Sequence, residues 1–203
     1  MKSLLLSIKP KWVAKIFNGD KTIEVRKVFP KEYKGWVYIY CTKDNDYPLF
    51  AIYRNDRIVK YRYDEKHWHK GMWEEDRLNG KVVARFYCDK VERFEREYLS
   101  RDIDDYYQDN GCALDKKFYK QSCLNEKELF DYIGGGSGYA IHISQLEIFD
   151  EPKDISEFYH YVKPKRTKDD IEFEKKMGCQ TFYVSKLKPL TKAPQNYCYV
   201  EVE

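Results

Sequence analysis

Residues 7–27, SIKPKWVAKIFNGDKTIEVRK, gather the side chains of this chain best suited to chemistry. Lys9, Lys21 and Arg26 are cationic donors of the type that hold phosphate, the arginine as a planar fork and the lysines as point charges. Thr22 and Glu24 can hydrogen-bond a base or a sugar. Lys21 and Glu24 also set a base near an acid, which proton transfer or charge stabilisation in a hydrolytic reaction requires. The plainer reading is that an acid and a base two residues apart, as Glu24 and Arg26 are, pair on the surface, where the pair is worth little.

The elements that must position these groups follow from the pattern. Residues 4–8, LLLSI, read as a buried strand. Pro10 stands where a helix starts, because proline is tolerated at the first helical position. Trp12, Val13, Ile16 and Phe17 have helical spacing, so residues 11–18 form a short amphipathic helix, and Gly19 suits a left-handed stop. Thr22, Glu24 and Arg26 then alternate with Ile23, Val25 and Lys27, which predicts a strand with one polar and one apolar face. The helix is short, so the end of the first strand and the start of the second lie close. Lys9 and Lys21 are therefore expected at one mouth.

Further along, residues 35–41, GWVYIYC, are the clearest strand, dense in β-branched and aromatic side chains. Residues 49–53 and 58–63 are strand-like and precede an aromatic stretch, HWHKGMWEED. Asn79-Gly80 is a turn into a strand at 81–89. Residues 92–98 and 125–133 read as helices, with 102–109 as solvated helix or loop. The run GGGSG at 134–138 breaks the pattern as a flexible connector, and 139–149 alternate as one strand. A short helix at 155–159, a charged periphery at 163–176, a β segment at 181–187 and a last strand in NYCYVEV complete the chain. This is not regular βαβα alternation. It predicts an α+β, mainly β fold, a small barrel with short peripheral helices.

Bulk properties narrow the function. With 37 Lys and Arg against 34 Asp and Glu, the net charge is +3, which excludes coating of nucleic acid through bulk charge. The charge is uneven. Lys2, Lys9, Lys11, Lys15, Lys21, Arg26, Lys27, Lys31, Lys34 and Lys43 face only Asp20, Glu24 and Glu32 over the first 43 residues. Such a field attracts a polyanion locally. The 19 tyrosines suit half-buried strands and base-stacking surfaces. The six cysteines show no C-x-x-C spacing, and His67 and His69 lack a third ligand, so no metal and no cofactor is expected. GGGSG has neither the lysine nor the following helix of a phosphate loop. His142 would share a face with Ala140 and Ser144, lining a cleft or satisfied in the core. Leu4-Leu5-Leu6 is too short for a signal peptide and no stretch is long enough to span a membrane, so a cytoplasmic protein is expected, with no membrane partner.

S-I-K-P, then a helix, then G-D-K-T-I-E-V-R-K resembles the signature of the ASCH domain family, a branch of the PUA-like β-barrels. GWVYIYCT (35–42), NGKVVARFYCDKV (79–91) and YAIHISQLEIF (139–149) follow in the family's order, and APQNYCYV resembles the ending of phage and prophage members. The resemblance implies a PUA-like barrel over residues 1–150, with insertions at about 44–78 and 92–137. A C-terminal extension, 151–203, then packs on the barrel and returns a last strand. It implies a basic cleft in which Ser7, Lys9, Lys21, Thr22, Glu24 and Arg26 bind RNA, single-stranded nucleic acid or a nucleotide, with a Tyr or Trp of 44–78 stacking on the base. Some small members are acetylcytidine amidohydrolases, in which a lysine activates a threonine three residues on. Lys21 matches that lysine, but Glu24 stands where the threonine would be. The first expectation is an RNA- or nucleotide-binding protein of RNA metabolism or regulation. The alternative is a hydrolase or nuclease acting on RNA or a modified nucleoside, with Lys21 and Glu24 as the catalytic pair. A second alternative is a phage-type protein-interaction module using 92–137 and 151–203.

Overall fold

The computed structural model of the chain describes residues 2–44, 48–54, 57–63, 77–100, 103–108, 113–134, 136–165, 167–178 and 184–202. The leucine run opens it as β1 (Ser3–Ile8), an inner strand covered on both faces, so Leu4, Leu5 and Leu6 are each 0% exposed. Leu4, Leu6 and Ile8 join one core and Leu5 another. α1 (Pro10–Phe17) carries Pro10 at its start, and Gly19, at φ +78°, lies just past its end. β2 (Ile23–Arg26) follows. α1 and β2 together supply the crossover that lets β3 (Gly35–Cys41) run parallel to β1, from Leu4 opposite Val37 to Ile8 opposite Cys41.

β4 (Leu49–Arg54) and β5 (Arg57–Tyr63) form a hairpin. Asn18 ties it to α1 by exchanging hydrogen bonds with the main chain of Tyr61. Next come β6 (Val82–Cys88), β7 (Val91–Ser100) and β8 (Ile103–Gln108), then α2 (Lys116–Ser122) and α3 (Glu126–Ile133). β9 (Ser137–His142) and β10 (Ser144–Lys153) lead through a single 3-10 turn to β11 (Phe158–Val162). α4 (Lys168–Met177), β12 (Lys186–Pro189) and β13 (Tyr197–Val202) end the chain.

The strands pair as a seven-stranded sheet, β10-β6-β3-β1-β13-β11-β12, a four-stranded sheet, β2-β9-β7-β8, and the β4-β5 hairpin. The fold is mainly β. The barrel expected from the strand pattern is not found closed among the described residues, where both larger sheets are open. One core fills the space between them, and its Leu4, Ile39, Phe86 and Ile141 are fully buried. A second core, built on Ile23, Val25, Phe94 and Ala140, packs the outer face of the four-stranded sheet on α2 and α3.

Several sequence expectations need correction. Residues 92–98 are strand β7, not helix, and 103–108 form its hairpin partner β8. The Glu and Arg of ERFEREY favour helices as monomers, but pairing with β9 and burial of Phe94 override that preference. The single strand expected at 139–149 is two strands in different sheets, parted at Ile143 with Gln145 at φ +45°. The alternation runs on through the corner because each strand still has two differing faces. β9 also begins inside the glycine run. A Cβ on Gly138 would lie 2.5 Å from Phe94 Cζ, so that glycine serves close packing. The helix expected at 155–159 is only a 3-10 turn, Ile155–Glu157, before β11. α2 was not anticipated.

Candidate functional site

The two parallel strands end on the same side, and Thr42 N–H donates to the Ile8 carbonyl at 2.9 Å. A cleft of about 1080 Å³ opens there. Ser7 and Ile8 lie at its base and the exposed Lys9 at its rim; α3 contributes Glu128, Asp131 and Tyr132 on one side. Thr42, Lys43, Gly80, Asp154 and the loop of residues 191–196 line the rest.

The floor is charged and buried. Lys21, Glu24 and Arg26 are 3%, 5% and 8% exposed. Glu24 and Arg26 alternate with Ile23 and Val25, and since those apolar residues take the α2–α3 core, the polar pair turns inward toward the large sheet. Lys21 Nζ lies 3.4 Å from Glu24 Oε2 and donates to the Ser122 carbonyl at 2.7 Å. It also sits 5.0 Å from the centre of the Trp12 ring, a cation–π contact that Lys11 and Lys15 make as well. Burial pushes the Lys21 ammonium below its ordinary value, against the opposing pull of Glu24. Arg26 Nη2 donates to the Ser7 carbonyl at 2.6 Å. Arg26 Nε lies 3.1 Å from Glu24 Oε1, but the geometry is that of an ion pair only. Among the described residues this buried N–H has no hydrogen-bond partner.

Above the floor, burial pushes the Tyr132 hydroxyl above its ordinary value, against the opposing pull of the Arg26 charge. Lys27 lies over the Tyr132 ring at 5.5 Å. Lys9, Lys27, Lys43 and Lys192 are exposed around the cleft. Two of the acids that line it are committed to capping. Glu128 accepts from the Asn125 N–H and pairs with Lys11 at 3.8 Å, and Asp154 accepts from the Ser156 N–H. The cleft thus combines a buried cluster of two bases and one acid with a rim of exposed lysines, an arrangement that favours an anion.

No family model matches the sequence, and no curated protein matches it. Among solved structures, a tyrosine-to-phenylalanine mutant of an ASCH protein from Zymomonas mobilis matches with a TM-score of 0.50 at 13% identity, over 99% of this chain and 91% of that one. The fold is ASCH-like. A second structure, of ASCH from the same organism, covers 98% of this chain and 88% of its own at 14% identity and TM-score 0.47.

On this ASCH-like fold, Ser7, Lys9, Lys21, Glu24 and Arg26 all line the cleft, and Lys9 and Lys21 share that lining as the short helix between them suggests. Thr22 is not among the lining residues. Its main chain bonds Gln121 and Ile143, and its buried hydroxyl has no hydrogen-bond partner among the described residues, so it makes no bond to Lys21. The Ser7 hydroxyl is also engaged, donating to the Pro194 carbonyl at 2.7 Å. His142 is outside the cleft, half-buried and bonded to Glu92. His67, His69 and the tryptophans of the 44–78 insertion lie outside the described residues. Sequence reasoning missed Trp12 and Tyr132 as cleft aromatics. Trp12 carried the spacing signal of a core residue, and Tyr132 reaches Arg26 only through packing of α3 on the distant β2. No helix among the described residues is long and apolar enough to cross a membrane.

Proposed function

We propose that the cleft binds single-stranded RNA or a nucleotide without reacting with it, in RNA metabolism or regulation. The observation that carries this reading is the buried Lys21–Glu24–Arg26 floor, whose Arg26 Nε–H has no hydrogen-bond partner among the described residues, at the bottom of a cleft of about 1080 Å³. Burying three charges is costly, and a fold that keeps them open to a cleft has a use for their field. Arg26 and the rim lysines hold phosphate. Tyr132, with one ring face held by Lys27, offers the other to a base. We read the two packed sheets as the halves of an opened PUA-like barrel, with Ser7 and Thr22 shaping the site from behind. Lys21 supports holding over reacting, because its ammonium already meets a carbonyl, a carboxylate and an indole face.

Titrating a short fluorescent single-stranded RNA into wild-type protein and Arg26→Gln tests the reading. Loss of a charge-assisted bond predicts roughly 10- to 100-fold weaker binding in the variant. Equal affinity in both, with the variant folded, overturns it. The hydrolase alternative makes a different prediction: turnover of an RNA or an acylated nucleoside by the wild type, abolished in Glu24→Gln with binding retained.

A further inference from the structure

We propose that Gln195 and Asn196 are the specificity-determining residues of the cleft, reading the edge of a nucleobase. The inference rests on the nucleotide reading above and adds what that reading lacks, a means of telling one base from another. A charged floor and rim lysines grip phosphate, which every nucleotide shares, and a tyrosine ring stacks on any base. Sequence is read by groups that pair a donor with an acceptor at fixed spacing, and carboxamides do this without the desolvation cost of a charge. Gln195 and Asn196 are the carboxamides among the residues lining the cleft. Both are exposed, and among the described residues neither side chain has a hydrogen-bond partner.

Their loop is held firmly enough to select. On its N-terminal side Leu190 is buried and its N–H donates to the Phe158 carbonyl at 2.7 Å. In the middle, the Ser7 hydroxyl grips the Pro194 carbonyl at 2.7 Å, and proline fixes its own φ. On the C-terminal side Tyr197 enters β13 opposite Leu6 and packs edge-on against Phe29. The clamp comes from Ser7, at the base of the same cleft, so the loop that reads is registered against the floor that holds. A readout group on a rigid support discriminates better than one on a free loop. Ser7 is accordingly a positioning residue, acting through the Pro194 carbonyl. The same APQN segment stood out in the sequence without any role attached.

Calorimetric titration of AMP, GMP, CMP, UMP and inorganic phosphate into wild type, Gln195→Ala/Asn196→Ala and Ser7→Ala tests this. The wild type is expected to prefer one base by about tenfold or more, the span of a good bidentate contact. In the double variant that preference should collapse to about twofold, with inorganic phosphate affinity unchanged. Ser7→Ala should blunt the preference while leaving phosphate affinity alone. An unchanged preference in the double variant overturns the proposal, as does a wild type that binds all four equally. A wild type that binds none of the five probes instead sinks the nucleotide reading itself, and this inference with it.

Discussion

Two carboxylates of the four-stranded sheet each sit between two basic groups, and burial separates their fates. Glu24 lies between Lys21 and Arg26, and Glu92 lies between Lys90, 2.8 Å away, and His142. On β9, Glu24 is opposite Ile141 and Glu92 is opposite Ala140, so the two project from opposite faces of one sheet. The Glu24 side chain is 6% exposed and that of Glu92 24%. Near solvent, a cluster of this kind is screened and worth up to about 1 kcal/mol. Between two sheets, the same chemistry costs several kcal/mol per ion in lost hydration, roughly recovered only if all partners stay in place. Glu92 is a surface staple. Glu24 is the counter-charge that holds two buried bases in the floor of a cleft.

The largest effect expected from breaking the comparison is at Glu24. Glu24→Gln leaves Lys21 and Arg26 buried without their counter-charge, and urea unfolding should show a loss of about 3 kcal/mol or more. A loss below about 1 kcal/mol would mean that the floor behaves like the surface cluster. Lys21 gives the next effect, through pH. Its value is lowered on folding by burial, so between that lowered value and 10.5 the unfolded chain binds more protons than the folded one. Stability tied to this group therefore rises with pH through that window. Urea midpoints from pH 7 to 10 should rise more in wild type than in Lys21→Met, and parallel profiles would contradict the assignment.

Smaller effects sharpen the contrast. Tyr132→Ala should weaken RNA binding by about 1–3 kcal/mol while Tyr132→Phe keeps most of it, as expected of stacking. Equal losses in both would shift the role from the ring to the hydroxyl. Glu92→Gln should cost less than about 1 kcal/mol, and less again in high salt. Burial alone would raise the Glu92 carboxyl, yet hydrogen bonds from Lys90 and His142 hold it below its ordinary value. Its small contribution is thus present above the ordinary carboxylate range and lost as pH falls through the lowered value, and acid titration of the unfolding midpoint in wild type and Glu92→Gln checks that sign.

What could be read from the sequence was what local physics decides. The LLL strand, the Pro10 start and Gly19 stop of α1, GWVYIYC and the Asn125-capped α3 all carry their signals within a few residues. The same short span brought Lys9, Lys21, Glu24 and Arg26 together, because a brief helix leaves two strand ends adjacent. What sequence could not supply depends on distant pairing. ERFEREY becomes a strand only beside β9, and Tyr132 and the 191–196 loop join the cleft only when α3 and β13 are docked. The alternation alone allows the polar face of β2 to meet solvent or to line a pocket, and packing against the large sheet decides for a buried floor.

The salt dependence of RNA binding tests the central claim most directly. Fluorescence titrations of a short single-stranded RNA at rising salt should give a linear fall of log affinity with log salt in the wild type. In Lys9→Ala/Lys192→Ala, which removes two exposed rim cations and leaves the core intact, the slope should shrink by about 1.4, roughly 0.7 for each phosphate that a lysine no longer neutralises. Binding of equal strength and equal slope in both proteins, or no binding by the wild type, would contradict the account.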